Sequence, residues 1–188
     1  MFQGNNNPNQ EEVSKEVLPG YKQQLNFKRL GRELAMQYLF QCDLAGENET
    51  PETMEGFWEQ AEESGAFSNE RIFRKARKYA ESLIYGVQNN EIEINDMLVS
   101  ASKHWDIERM SAVDRNIMRI AIYELKSCPD IPPIVSINEA IEISKDFSDE
   151  GSRTFINGIL NGIKNQLYPE LSSSKEPKSR KNSSSDGE

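Results

Sequence analysis

Two cysteines and one histidine in 188 residues leave little room for metal or thiol chemistry. Cys42 and Cys128 lie far apart and neither belongs to a CxxC pair, while His104 has no second histidine to work with. Most zinc frameworks and cysteine–histidine catalytic pairs are thereby excluded, and the thiol content suits a reducing cytosol. No run approaches the roughly 18 apolar residues of a membrane span, and MFQGNNNPNQEEV has no basic region followed by an apolar stretch, so a secretory signal is not expected. No segment sustains a period-two pattern with turn residues at hairpin spacing. Glu108, Asp114, Glu124, Glu139 and Glu142 supply carboxylates, but no nucleophile, metal-ligand set or phosphate loop accompanies them. The expectation is a soluble, non-enzymatic, cytoplasmic protein without a cofactor.

The formal charge of -9 argues against indiscriminate coating of nucleic acid, so any such contact must come from a local basic patch. Residues 1–21 are rich in Asn, Gln and Glu, and residues 169–188 in Ser and Lys. Neither stretch has the apolar surface to offset chain entropy, and both are expected to be disordered tails. The folded body is expected over residues 22–168.

Within it the spacing of apolar residues predicts about seven helices and no sheet. Leu34, Ala35, Tyr38, Leu39 and Cys42 keep helical time over Phe27 to Leu44, and Gly46 ends that helix. The next segment holds eight glutamates between Glu47 and Glu70, with Met54, Phe57, Trp58 and Ala61 forming one apolar stripe. A third helix places Ile72, Ala76, Tyr79, Leu83 and Val87 on one face and Arg71, Arg74, Lys75 and Lys78 on another. Ile92 to Ser102 is a short fourth. Ser111 and Asp114 resemble a capping box, Ser136 followed by Glu139 is a full one, and Ser152 is placed to cap the last helix. The strand-like Ile131–Ile137 stretch carries two prolines, which argue against a central strand.

Glycine inside a helix costs roughly 1 kcal/mol relative to alanine, so Gly158 and Gly162 in FINGILNGI ask for a reason. Close approach of another backbone is the expected one, with Asn157 and Asn161 bonding across that contact. Lys28, Arg29 and Arg32 sit near the expected start of the first helix, the wrong end for positive charge; a phosphate ligand would relieve the conflict, and so would plain solvation. The second basic cluster, Arg71 to Lys78, is expected to pair with the preceding glutamates or face water, with RNA contact left open. Trp105 reads as an anchor for the following helix or as a base-stacking surface.

KRLGRELAMQYLF, HWDIERMSAVDRNIMRIAIYEL, PPIVSINEAIEISKDF and FINGIL, in this order from Phe27 to Leu167, resemble the NusB family of transcription antitermination factors. The resemblance implies an all-α fold of two helical subdomains, set here at residues 22–88 and 89–168. It implies a heterodimer with ribosomal protein S10 (NusE) that binds the boxA element of ribosomal RNA leader transcripts. With other Nus factors on the elongating RNA polymerase, such a complex suppresses premature termination. Carried over by position, the arginine-rich RNA-binding motif falls on Lys28, Arg29 and Arg32, with Leu30 where a basic residue is usual, and Phe155 matches an aromatic RNA-binding position. Phe40 and Asp114 fall on the S10-facing surface. An acidic position there appears as Gly151, with Glu150 adjacent.

Three phosphate contacts would give a log–log salt slope near -2 for the chain alone, which leaves much of the RNA surface to S10. Two other readings stand beside this one. A similar helical domain precedes the catalytic part of some ribosomal RNA cytosine methyltransferases, though this chain has no Gly-rich cofactor loop and no catalytic cysteine motif. The acidic charge also fits a protein-only helical module, or a homodimer.

Overall fold

The computed structural model describes residues 21–46, 51–64, 69–102 and 110–172. Eight helices and no strand occur among the described residues: α1 (Tyr21–Ala45), α2 (Pro51–Glu63), α3 (Glu70–Asn89), α4 (Glu91–Ala101), α5 (Ala112–Ser127), α6 (Pro133–Phe147), α7 (Ser152–Leu167) and the single turn α8 (Pro169–Ser172). None is long and apolar enough to cross a membrane. Both expected tails, apart from residues 169–172 and Tyr21, and the His104-Trp105 pair lie outside the described residues.

α5 is the centre of the body because its sequence is apolar around most of its circumference. Ile117, Met118, Ile120, Ala121, Ile122 and Leu125 are all buried, and the helix packs on α1, α3, α4, α6 and α7. A helix of that kind is stable only inside other elements. α1 lies along α3, burying Leu34, Ala35, Tyr38 and Leu39, and α2 adds Met54 and Trp58 to the same core. Full burial of one such aliphatic or aromatic side chain stabilises by about 1.5–3 kcal/mol. α3 ends at Asn89 and α4 begins at Glu91, so Asn90 flanks both helices.

Local signals explain several helix ends. Gly46 takes φ +62°, the left-handed conformation that closes a helix, and its N–H donates to the Cys42 carbonyl at 3.1 Å. Ser111 accepts from the Asp114 N–H at 3.0 Å, so this cap is as expected.

Two other expected caps are not. α6 starts earlier, with Pro132 as its N-cap and Pro133 in its first turn, leaving Ser136 and Glu139 inside the helix and buried. Fixed proline φ starts this helix without a side-chain cap. At α7 the N-cap is Gly151, and the Ser152 hydroxyl donates instead to Asp114 Oδ2 at 2.7 Å.

The α7 glycines also differ from expectation. A Cβ on Gly158 or Gly162 would meet nothing within 4 Å among the described residues. Asn161 bonds to the Asn157 carbonyl and side chain within its own helix. The close approaches are elsewhere. A Cβ on Gly31 would lie 2.8 Å from Tyr79 Cδ1 and 2.9 Å from the Ala76 carbonyl oxygen, and one on Gly86 would strike the Tyr123 ring.

Candidate nucleic-acid interface

α1 begins at Tyr21, so Lys28, Arg29 and Arg32 lie beyond its first turn. The unfavourable dipole that seemed to call for a phosphate falls off within one turn and does not act on them. The partners of the two arginines are carboxylates from α5 and α6, 92 to 110 residues away. Arg29 grips Glu139 with two bonds, Nη2 to Oε1 at 2.7 Å and Nε to Oε2 at 3.0 Å. Arg32 donates from Nε to Glu124 Oε1 at 2.8 Å and from Nη1 to Glu139 Oε2 at 3.3 Å. The Tyr79 hydroxyl from α3 donates to the same Glu124 oxygen at 2.5 Å.

Burial separates these arginines. The Arg32 side chain is 4% exposed and Glu124 1%, whereas Arg29 is 38% exposed. Arg32, of the expected RNA-binding set, is therefore buried in this structure with its donors on carboxylates. It compensates two buried carboxylates, and its desolvation is tolerable because several of its donors are used. Arg29 keeps an accessible edge; its hydrogen bonds with Glu139 raise its already high pKa. Burial, and then the Glu124 charge, push the Tyr79 phenol well above its ordinary value, so it stays a donor.

Lys28 is the freer cation. Its Nζ lies 5.5 Å from the Tyr79 ring centroid, and Lys75 from α3 lies 5.7 Å over Phe27. Phe27 and Tyr79 meet edge to face at 6.5 Å, so two aromatic rings and two lysines from α1 and α3 interlock.

The basic residues of α3 divide. Arg77 is engaged by Glu81 at 3.0 Å and by Glu55 and Glu62 of α2 at 3.1 and 3.4 Å, and it stacks over Trp58. This is the expected pairing with the acidic segment. Arg74 pairs with Glu70 at 2.9 Å on an open surface. Arg71, Lys75 and Lys78 are exposed, with no carboxylate within ion-pair distance among the described residues.

The S10-facing residues implied by resemblance lie apart from this cluster in sequence. Phe40 is half-buried against the core, as is Phe155 of the expected RNA-binding set, and Glu150 is exposed just before α7. Asp114 is 7% exposed; one carboxylate oxygen accepts from Ser152, and the other, Oδ1, is buried without a hydrogen-bond partner among the described residues.

Sequence reading missed a second clamp on α1. Asp43 accepts from Arg115 at 2.8 Å, Asn116 at 3.0 Å and Arg119 at 3.2 Å, all from α5. Burial works against its charge, but the Arg115 hydrogen bond, the Arg119 charge and the Asn116 hydrogen bond hold its pKa below the usual carboxylate value. The available signal was weak: Arg115 and Arg119 share a helix face at a spacing of four.

This helical body has known counterparts. The family model described as NusB family matches residues 29–165. The chain belongs to the NusB family. It is 42% identical over 136 residues to the transcription antitermination protein NusB of Myxococcus xanthus, covering 72% of this chain and 93% of that protein. Among solved structures, NusB of T. maritima superposes with a TM-score of 0.64 at 33% identity, covering 77% of this chain and 94% of the other. A structure of the antitermination factors NusB and NusE in complex with dsRNA gives a TM-score of 0.58 at 28% identity, covering 76% and 98%. The family match begins at Arg29 and thus takes in the Arg29–Arg32–Glu124–Glu139 cluster.

Proposed function

We propose that this chain is a transcription antitermination factor. With ribosomal protein S10 it binds boxA RNA of ribosomal RNA transcripts, joins other Nus factors on RNA polymerase and promotes processive transcription. The role is non-enzymatic and belongs to the cytoplasm. The observation that carries the reading is family membership across residues 29–165, together with relatives named for antitermination. A neighbour of the same fold, solved with NusE and dsRNA, supports both partners.

In residue terms, Lys28 and the open edge of Arg29 face the RNA backbone, and Phe155 offers an aromatic surface to a base. Phe40, Asp114 and Glu150 serve the S10 side. With Arg32 removed from the set, two phosphate contacts remain, and the expected salt slope of the isolated chain falls to about -1.4. Weak RNA binding by the chain alone follows, and S10 supplies the remaining surface.

Titrating labelled boxA RNA with the chain, with S10 and with both tests this. The pair is expected to bind far more tightly than either component; equal affinity with and without S10 overturns the reading. Lys28→Gln and Arg29→Gln together should weaken RNA binding by the pair while leaving S10 binding intact.

A further inference from the structure

The exposed cations of α3 are unexplained by the acidic segment that precedes them. Arg71, Arg74, Lys75 and Lys78 are spaced three, four and seven residues from the first, which sets them in one stripe along the helix. They line an open groove with Arg77 and Glu81. Among the described residues only Arg74 and Arg77 are engaged by carboxylates, while Arg71, Lys75 and Lys78 have no ion pair, on a protein whose total is -9. The glutamates of α2 stop at Arg77, and Glu55 and Glu62 form an acidic edge beside the stripe.

We infer that this α3 ridge is a second phosphate-tracking surface, which carries single-stranded RNA flanking the element bound at Lys28 and Arg29. Continuity decides for RNA over an acidic protein. Lys75 sits over Phe27 and Lys28 over Tyr79, so the ridge runs into the α1 cations through two aromatic rings, and the Glu124 carboxylate bonded to the Tyr79 hydroxyl is 1% exposed and engaged by Arg32. Cations interleaved with aromatics form the surface that single strands use, with phosphates on the charges and bases on the rings. From Arg71 to Lys78 the helix rises about 10.5 Å. Arg71, Lys75 and Lys78 lie over that length. The α2 glutamates repel phosphate on one side and hold the strand to the ridge.

The inference rests on the RNA-binding reading above and extends it to flanking sequence. Its test uses the full chain with S10, a boxA RNA oligonucleotide, and the same element extended by leader sequence on both sides. The parent complex is expected to bind the longer RNA with a log–log salt slope steeper by about 2, from three contacts at about 0.7 each. R71Q/K75Q/K78Q should abolish that increment and leave affinity for the short RNA and for S10 unchanged. Equal slopes for short and long RNA with the parent, or an undiminished increment with the variant, overturn the ridge alone. Loss of S10 affinity in the variant also overturns it, since the ridge would then be a protein contact. Failure of the parent complex to bind either RNA overturns the antitermination reading and the ridge with it.

Discussion

The two basic clusters, one on α1 and one on α3, exchange roles between sequence and structure. Resemblance assigns Lys28, Arg29 and Arg32 to RNA, yet two of the three are held by Glu124 and Glu139 from the far half of the chain. The α3 cluster follows eight glutamates in sequence and should be neutralised by them, yet three of its five cations are exposed without an ion pair among the described residues. Charge type does not decide function here; burial and distant partners do. A cation with its donors satisfied in a core fixes helices together, whereas one without a partner on the surface is free for a ligand.

The sharpest way to break this contrast is at Arg32. Arg32→Met leaves Glu124 and Glu139 buried with less compensation, and should cost about 3–5 kcal/mol in denaturant unfolding. Arg32→Lys should restore little of it, because one ammonium cannot reproduce a fork that reaches two carboxylates. A loss under about 1 kcal/mol would return Arg32 to the surface set.

Packing beneath the cluster gives the next effect. Gly31→Ala pushes against Tyr79 and the Ala76 backbone and should cost about 1–3 kcal/mol, with α1 displaced from α3. The helix-interior glycines 158 and 162 meet nothing among the described residues, so alanine at either should stabilise by up to about 1 kcal/mol. Thermal unfolding of the three single variants separates these signs, and destabilisation at 158 or 162 would show that those glycines face a partner.

The glycines show how much was legible in sequence. The number and type of helices, the Ser111 cap and the Gly46 stop were readable, because each depends on residues within a turn or on one helical period. The α7 glycines were misassigned because sequence periodicity shows that a face exists without showing what lies opposite. Glu139 looked like a capping residue because Ser136 precedes it by three, and its true partners, Arg29 and Arg32, are more than 100 residues away. Asp43 was missed for the same reason; its arginines lie over 70 residues on.

The clamp at the C-terminal end of α1 has a pH dependence of its own. The folded-state pKa of Asp43 is depressed, so its contribution is present above the unfolded carboxylate value of about 3.9 and is lost as pH falls through the folded value. Being partly solvated, it should contribute no more than about 1 kcal/mol. Asp43→Asn should lower stability at neutral pH and reduce the acid-side loss below about pH 4. An unchanged stability-against-pH profile would mean that the Arg115 and Arg119 contacts are electrostatically idle.

The smallest expected effect is the complement of the Arg32 result. R71Q/K75Q/K78Q removes three positive charges from the ridge and no ion pair among the described residues, so unfolding free energy should shift within about 0.5 kcal/mol per site. The direction has a physical sign: a chain already at -9 loses favourable long-range attraction when it loses cations, so any shift should be a destabilisation that salt removes. A larger, salt-insensitive loss would mean that the lysine and arginine stems cover apolar surface of α3 and that the ridge belongs to the scaffold. Near-neutral stability beside a salt slope reduced by about 2 would assign the ridge to the ligand, just as a large stability loss assigns Arg32 to the fold.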